Sequence, residues 1–279
     1  WVYKGATGLY PKYNRFLINL SNGGGDAVAI KEFDVTTKSF VNDGFNLPES
    51  KCEVIYLDEN TTVVGTDFGE GSMTSSGYPR ILKLWKRGTD LKDAETLFEG
   101  DVTDVSESGY VLRDNDKSYL MVSKAETFYS SKKFIRVDSK LVPLQIPDDS
   151  SITGILNNQL IVNLKSDWKV DNNTYKQGSI ISLNFTALIE NKKEIQLLFQ
   201  PDAFSSVSEI QTTKNYLLLD ILNNVKSELY TYQFSNGKWL KTKVKTPDFG
   251  TIGITATDDF SDNYYFNFQN FLSPTTLYS

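Results

Sequence analysis

The sequence contains no histidine and only one cysteine, and both features restrict the chemistry that the chain can perform. Without an imidazole, the chain cannot assemble a Ser-His-Asp triad or a zinc site that uses histidine ligands. A single thiol, Cys52, cannot form an internal disulfide, so cysteine usage does not identify a redox compartment. We treat Cys52 as a spectator, although the neighbouring Lys51 is expected to lower its pKa slightly.

Long apolar runs and blocks of positive charge are also missing. No stretch approaches the roughly 18 consecutive apolar residues of a transmembrane helix. The 29 Lys and Arg residues are outnumbered by 35 Asp and Glu residues, which gives a net charge of −6. This balance argues against nucleic acid or an anionic membrane as a partner. We therefore expect a soluble protein, with the choice between cytoplasm and periplasm left open.

Short β-rich runs separated by turn residues are present along the whole chain. Residues 13–20 and 27–35 flank a glycine-rich tetrapeptide and predict a hairpin, and Asn236-Gly237 predicts a second, two-residue hairpin turn. Residues 80–87 form the most basic stretch, but their alternation of basic and apolar side chains is typical of a strand with one wet face. Residues 186–191 are the one segment that predicts a short helix. Further strands are predicted at residues 61–66, 119–124, 134–138, 159–164, 179–183, 216–222, 228–234 and 264–269.

A weak repeat of about 45–55 residues organises these runs, close to the period of four-stranded propeller blades. The groups begin near Val2, Glu53, Val102, Ile152, Val207 and Thr251. We predict an all-β chain, a β-propeller with about six readable blades, of which the last has room for about three strands. No linker interrupts residues 1–279, so we predict one domain. A β-sandwich or two smaller β-domains are the alternatives.

Motifs that carry chemistry are scarce. No glycine has a serine two positions later, which excludes the nucleophile elbow, and no Walker sequence is present. Gly23-Gly24-Gly25 and Gly69-Glu70-Gly71 do not match a dinucleotide fingerprint, and we interpret both as turns. We therefore predict no catalytic, cofactor-binding or metal-binding residue in this chain.

Acidic and aromatic side chains leave two weaker alternatives open. Residues 258–263 carry several oxygen ligands suited to calcium, but turn capping is the favoured interpretation. A carboxylate pair for glycoside hydrolysis would make the chain a glycosidase, but solvated loop acids are the favoured interpretation. An aromatic platform for sugars would make it a lectin, but core packing of the aromatics is the favoured interpretation. The candidate acids are Asp67, Glu70, Asp90 and Asp93, and the aromatics are Phe33, Trp85, Tyr230, Tyr232, Tyr264, Tyr265 and Phe266.

An ordered series of short motifs resembles the propeller domain of the prolyl oligopeptidase family, and its bacterial branch most closely. The resemblance covers essentially the whole chain, and the succession of motifs is more specific than any one of them. The motifs are residues 5–11, LSNGGGDA (20–27), KEFD (31–34), GFNLPE (44–49), GTDFG (65–69), SGYPR (76–80), KLWKRGT (83–89), TKNYLLL (213–219), DFGT (248–251) and FLSPTTLY (271–278).

The resemblance implies a two-domain serine peptidase. In this family a seven-bladed propeller lies over an α/β-hydrolase domain that carries a Ser-Asp-His triad. The hydrolase domain cleaves short peptides, typically after proline. The propeller keeps folded proteins away from the catalytic site. This sequence departs from that pattern because it has no hydrolase domain and only about six blade-like groups. No triad residue can be carried over, and we interpret the chain as a propeller fragment whose first blade lies before residue 1.

The expected role is that of a non-catalytic, substrate-gating domain. The implied partners are the α/β-hydrolase domain of the same parent chain and short peptide substrates, with no nucleic acid and no membrane. A propeller that lacks a blade would expose sheet faces, so closure into a smaller ring or self-association through those faces is also expected. A pure interaction scaffold is a further alternative.

Overall fold

The computed structural model describes all 279 residues, Trp1–Ser279, and nearly all regular structure is antiparallel β-sheet. Six sheets follow one another along the chain, and their strands are hydrogen-bonded in chain order, with one exception in the first sheet. The first three sheets contain β1 (Val2–Gly8), β2 (Arg15–Ser21), β3 (Val28–Asp34), β4 (Ser39–Phe40) and β5 (Asn46–Ser50); β6 (Glu53–Asp58), β7 (Thr61–Gly65), β8 (Ile81–Lys86) and β9 (Glu95–Glu99); and β10 (Ser106–Asp114), β11 (Lys117–Ala125), β12 (Lys132–Val137) and β13 (Lys140–Pro143). The exception is β5, which pairs with β3 and not with β4.

The last three sheets repeat this order with one insertion. A separate hairpin, formed by β16 (Trp168–Val170) and β17 (Asn173–Tyr175), lies between the second and third strands of sheet 4. The sheets contain β14 (Ser151–Leu156), β15 (Gln159–Asn163), β18 (Ile180–Asn184) and β19 (Ile195–Phe199); β20 (Ser205–Thr212), β21 (Tyr216–Asn223), β22 (Lys226–Ser235) and β23 (Lys238–Lys243); and β24 (Thr251–Thr257), β25 (Tyr264–Gln269) and β26 (Thr276–Tyr278).

Two short helical segments complete the fold. Helix α1 (Phe185–Ile189) begins after Asn184, whose side chain accepts a hydrogen bond from the Ala187 amide at 3.2 Å. A single 3-10 turn covers Leu91–Asp93. Neither helix has the length and apolarity that crossing a membrane requires. The short helix predicted at residues 186–191 is confirmed, although its ends lie one or two residues earlier in the chain.

The six predicted group starts agree with the first strands of the six sheets. Sheets begin at Val2, Glu53, Ser106, Ser151, Ser205 and Thr251, and the last sheet has three strands as expected. Asn236 and Gly237 both have positive φ, 51° and 76°, in the turn between β22 and β23. These values match the type I′ turn that the Asn-Gly pair predicts.

The chain divides into two compact units. The first contains Trp1–Val111 and Tyr119–Pro143, and the second contains Leu112–Ser118 and Leu144–Ser279. In the first unit, β7 is shared between two apolar clusters because alternate side chains point to opposite faces. Val64 packs with residues of sheet 1, and Val63 packs with residues of sheet 3. Sheets 1, 2 and 3 therefore stack face to face in this unit.

The second unit uses the same arrangement around β21. Leu217, Leu219 and Ile221 pack with residues of sheet 4, whereas Leu218 packs with Ile252 and other residues of sheet 6. Residues 217–219 and 221–222 form an apolar run that is interrupted only by Asp220 and has no period-two pattern in the sequence. The run is explained by a strand that is covered on both faces.

Candidate functional site

A cleft of about 280 Å³ opens in the first unit where the first strands of sheets 2 and 3 begin. Small-molecule pockets usually have at least about 300 Å³, so this cleft suits a single side chain or a small polar group. It is lined by Asp26, Lys51, Cys52, Glu53, Tyr78, Pro79, Ser106 and Glu107.

One wall of the cleft is held by contacts of Tyr78. The Lys51 ammonium lies 4.1 Å from the centroid of the Tyr78 ring, and the Tyr78 hydroxyl donates to Asp26 Oδ2 at 3.4 Å. The Cys52 thiol donates to the Val28 carbonyl at 3.3 Å. Burial raises the pKa of Cys52, so the lowering expected from Lys51 is not found and the thiol stays protonated. This cysteine is not an activated nucleophile.

Two carboxyl groups of the cleft have strongly raised pKa values. Burial raises the pKa of Glu53 to about 7. Burial first, and then the hydrogen bond and negative charge of Asp104, raise the pKa of Glu107 to about 9. No amide or other donor satisfies the oxygens of Glu107, and the raised pKa is consistent with a protonated Glu107 carboxyl that faces Asp104. Asp104 Oδ2 lies 3.3 Å from the Lys124 ammonium.

The pair formed by Glu107 and Asp104 does not suit glycoside hydrolysis. The two carboxyl groups of a glycosidase are about 5–9.5 Å apart, so that the glycosidic bond fits between them. Glu107 and Asp104 are instead in direct hydrogen-bond contact, and both are buried. Glu107 therefore stays protonated beside Asp104. The cleft contains neither a nucleophile nor a base that is positioned to activate a nucleophile.

The acids that the sequence offered for glycoside hydrolysis lie elsewhere and do not line the cleft. Asp67 accepts from the Gly69 amide at 2.9 Å and from Ser72 Oγ at 3.2 Å in the loop after β7. Asp90 forms an exposed ion pair with Lys92 at 3.2 Å. Both have the structural roles of ordinary loop acids.

The candidate calcium segment forms the turn between β24 and β25. Asp258 accepts from the Phe260 amide at 2.8 Å and from Ser261 Oγ at 2.6 Å. Asp262 accepts from the Asn215 amide at 2.8 Å and from Thr213 Oγ1 at 3.1 Å. No group of three or more acidic or cysteine side chains in the structure is arranged to hold a metal ion.

The two glycine-rich segments also lie in turns. Gly23 and Gly24 have φ of 86° and 85° at the tip of the β2–β3 hairpin, a conformation that favours glycine. Gly69 and Gly71 have positive φ in the loop between β7 and β8. Neither segment precedes a helix, so neither provides helix N-terminal amides for a phosphate.

Most of the seven aromatic side chains are buried at least in part, as expected, with one exception. Trp85, Tyr232 and Phe266 are buried, whereas Tyr265 is 44% exposed. Tyr265 and Phe266 are consecutive in β25 and must point to opposite faces of the sheet. Only Phe266 reaches the cluster shared with sheet 5.

The acids of the cleft were not among the residues that the sequence singled out. Glu107 and Gly109 are both buried in β10 and lie two positions apart, so they share the inward face of the strand. Residues 106–114 show no apolar–polar alternation in the sequence, so no local signal indicates that Glu107 faces inward. Its proximity to Asp104 depends on the turn before β10, which the sequence pattern does not describe.

Comparison with known proteins decides the family. The family model for the N-terminal β-propeller domain of prolyl oligopeptidase matches residues 6–279. The chain belongs to the prolyl oligopeptidase family. Each stacked sheet is accordingly a blade of a propeller, which confirms the predicted fold.

The chain is similar to two curated peptidases and to one solved structure. An uncharacterized peptidase of Sinorhizobium fredii is 37% identical over 291 residues, which cover 100% of this chain and 40% of the relative. An uncharacterized peptidase of Rickettsia prowazekii is 28% identical and is matched over 41% of its length. The solved structure of a post-proline cleaving enzyme from Rickettsia typhi superimposes with a TM-score of 0.90 at 27% identity, over 99% of this chain and 43% of that one. The chain thus spans about two fifths of these relatives.

Proposed function

We propose that this chain is the non-catalytic, substrate-gating propeller of a serine peptidase that hydrolyses short peptides after proline. The observation that carries the proposal is the match of residues 6–279 to the propeller domain of prolyl oligopeptidase in a chain that has no histidine. Relatives matched over only 40–41% of their length are peptidases by name, which supports a catalytic domain elsewhere in the same protein.

The proposed gate acts by exclusion and does not touch the reacting bond. The stacked sheets supply rigid walls, and the cleft at the start of β6 and β10 contains acids but no activated nucleophile. A rigid cover in front of a catalytic centre admits flexible short peptides and rejects folded proteins by size. The partners are therefore the α/β-hydrolase domain of the same protein and short peptide substrates.

The first experiment tests whether the chain itself is catalytic. The purified 279-residue chain should not hydrolyse a chromogenic peptide with proline before the scissile bond. The longer protein encoded by the gene should hydrolyse it, and a serine-directed phosphonate should abolish that activity. Hydrolysis that co-purifies with the isolated chain would refute the non-catalytic assignment.

A second experiment tests the gate. The longer protein should cleave an octapeptide that contains one proline, but not the same eight residues displayed in a loop of a folded protein. As the matched control, the same folded protein is denatured and digested into short fragments. The longer protein should cleave the fragment that contains the proline. Equal cleavage of the peptide and the folded protein would leave the peptidase assignment intact and refute gating.

A further inference from the structure

One carboxyl group is buried inside the contact between sheets 5 and 6 of the second unit. Asp220, in the middle of β21, has 0% of its surface exposed. Neither side-chain oxygen of Asp220 has a hydrogen-bond partner. Buried polar groups are hydrogen-bonded in the great majority of cases, and buried charges are paired. Asp220 departs from both rules, which marks it as a candidate for a role other than packing.

The strand pattern shows which sheet the Asp220 side chain faces. Alternate side chains of β21 point to opposite faces of the sheet. Leu217 and Leu219 pack with sheet 4, whereas Leu218 packs with sheet 6. Leu229, which pairs with Asp220 in the β21–β22 ladder, belongs to the cluster on the sheet 6 side. Asp220 follows Leu218 by two positions and therefore faces sheet 6 as well.

A second acid lies beside Asp220 on this face. Glu209 of β20 is the cross-strand neighbour of Asp220 in the ladder. Side chains at such positions point to the same face, with Cβ atoms about 4.5–5.5 Å apart, and like charges there repel each other. Glu209 Oε2 accepts a hydrogen bond from the Ile254 amide of β24 at 2.8 Å. Glu209 therefore links sheet 5 to sheet 6, whereas Asp220 makes no such link.

Sheet 6 surrounds Asp220 with side chains that carry no positive charge. The members of the cluster from sheet 6 are Ile252, Ile254, Phe266 and Phe268, with Tyr264 and Tyr278 packed against them. The titratable groups that face Asp220 are therefore Glu209 and the two tyrosines, and no lysine or arginine acts on the Asp220 carboxyl. An ionised Asp220 in the closed contact would have no counter-charge.

The surroundings of Asp220 favour its neutral form. Burial is the largest effect and raises the pKa of Asp220 to about 6. The negative charge of Glu209 acts in the same direction, whereas the nearby hydroxyls of Ser208 and Ser227 oppose the shift and offset it only in part. The carboxyl therefore gains its charge at mildly acidic pH, at a position that accommodates the charged form poorly.

We propose that Asp220 makes the contact between sheets 5 and 6 a pH-dependent latch. The neutral carboxyl fits within the apolar contact, so sheet 6 stays packed against sheet 5 at mildly acidic pH. The ionised carboxylate requires water, and water reaches it only when sheet 6 moves away from this face of sheet 5. Sheet 6 has three strands, fewer than any other of the six sheets, and shares its apolar cluster with sheet 5. The inference does not rest on the proposed peptidase function.

The direction of the pH effect follows from proton binding. The pKa of Asp220 is about 6 in the closed contact, against an ordinary value of 3.8 once sheet 6 has moved away. The closed form therefore binds more protons than the open form between pH 3.8 and pH 6. The stabilisation of the closed form is fully present below pH about 3.8 and is lost as pH rises through 6. From pH 5 to pH 8, the population of the open form should increase about tenfold.

Hydrogen exchange at two pH values tests the latch. The longer protein encoded by the gene is exchanged at pH 5 and at pH 8, and each rate is divided by the intrinsic rate of that amide at the same pH. We expect the protection of the amides in β24 and β25 to fall about tenfold from pH 5 to pH 8. Amides of β15 and β18 are the internal control, because sheet 4 packs on the opposite face of β21, and should keep their protection.

Replacement of Asp220 identifies the group responsible. Asp220→Asn keeps the size of the side chain and removes the charge, so the protection of sheet 6 should be the same at pH 5 and pH 8. Asp220→Ala removes the carboxyl group entirely and leaves a small cavity, so its protection should be lower but equally independent of pH. Asp259→Asn changes an exposed acid in the β24–β25 turn, is the matched control, and should retain the tenfold change.

Glu209→Gln separates the two neighbouring acids. The side-chain oxygen of glutamine still accepts from the Ile254 amide, so the link between the sheets is kept while the charge is removed. Most of the pH dependence should remain, because burial and not the charge of Glu209 is the main cause of the raised pKa of Asp220. A pH dependence that disappears in Glu209→Gln and persists in Asp220→Asn would assign the effect to Glu209 and overturn the proposal.

Two further results would overturn the latch. Equal protection of sheet 6 at pH 5 and pH 8 in the unchanged protein would show that the contact does not respond to the charge of Asp220. An equal loss of protection in sheets 4 and 6 would show a general effect of pH. Neither result bears on peptide hydrolysis, and a protein that shows the tenfold change but has no peptidase activity would refute the proposed function alone.

Discussion

The Glu107 carboxyl is the most perturbed acid in the cleft, because it is buried against other acids. Asp104 accepts the proton of Glu107 and is itself paired with Lys124, which also contacts Asp101. Gly100 leaves the space for this arrangement, since a Cβ there would collide with Glu107 Oε1. Lys124 can balance only one of the neighbouring carboxylates, so burial and the negative charge of Asp104 keep Glu107 protonated.

This arrangement predicts a loss of stability as pH rises. The pKa of Glu107 is about 9 in the folded chain, against an ordinary value of 4.5. Between pH 4.5 and pH 9 the folded state therefore binds more protons than the unfolded state. The contribution to the free energy of unfolding is fully present below pH about 4.5 and is lost as pH rises towards 9. Glu107→Gln keeps a hydrogen-bond donor and removes the titration, and should raise the free energy of unfolding at pH 9 by about 2 kcal/mol.

Urea unfolding of the two proteins at pH 6 and pH 9 measures this effect. The difference between Glu107→Gln and the unchanged chain should grow with pH. Glu95→Gln, in the exposed part of β9, is the matched control and should unfold like the unchanged chain at both pH values. A constant difference across the pH range would contradict proton storage at Glu107.

Neighbouring elements of the first unit are joined by a buried ion pair. Arg87 follows β8 and donates to both oxygens of Glu32 on β3, at 2.7 and 2.8 Å. Tyr56 on β6 donates to the same carboxylate at 2.8 Å, and the Phe45 amide donates at 3.0 Å. Burial alone would raise the pKa of Glu32, but these hydrogen bonds outweigh it and hold the pKa below its ordinary value. Sheets 1 and 2 are thus held together by one fully satisfied carboxylate.

Removing this carboxylate should destabilise the first unit strongly. Glu32→Ala leaves the Arg87 guanidinium largely buried without its partner, and we expect a loss of about 3–5 kcal/mol in the free energy of unfolding. Lys92→Ala, which breaks the exposed pair with Asp90, should cost less than about 1 kcal/mol. Chemical denaturation at pH 7 compares the two variants. Equal, small losses would show that the buried pair does not hold the sheets together.

Elements were predictable from the sequence to the extent that local chemistry determines them. The Asn236-Gly237 turn, the six first strands and helix α1 depend on propensity and period-two alternation within a few residues. The Glu32–Arg87 pair joins positions 55 residues apart, and no local pattern indicates it. The exposure of Tyr265 could not be foreseen, because the sequence alone does not tell which face of β25 is covered.

At the scale of the whole molecule, large aromatic side chains are exposed at the start of sheet 1. β7 and β21 each contribute to two apolar clusters, whereas no residue of β1 belongs to these clusters. Trp1 is 75% exposed and Tyr3 is 65% exposed, and both lie at the start of sheet 1. Aromatic side chains of this size are normally covered by a neighbouring sheet or by another molecule.

We therefore expect the isolated 279-residue chain to self-associate through these side chains. Light scattering over a hundredfold range of concentration should show a mass that rises above 31.5 kDa. Trp1→Ser with Tyr3→Ser should keep the chain at the monomer mass, because it removes the exposed aromatic surface of sheet 1, while Leu240→Ser should not. A monomer at every concentration would contradict self-association. Association that persists in the Trp1 and Tyr3 variant would show that the contact lies elsewhere on the chain.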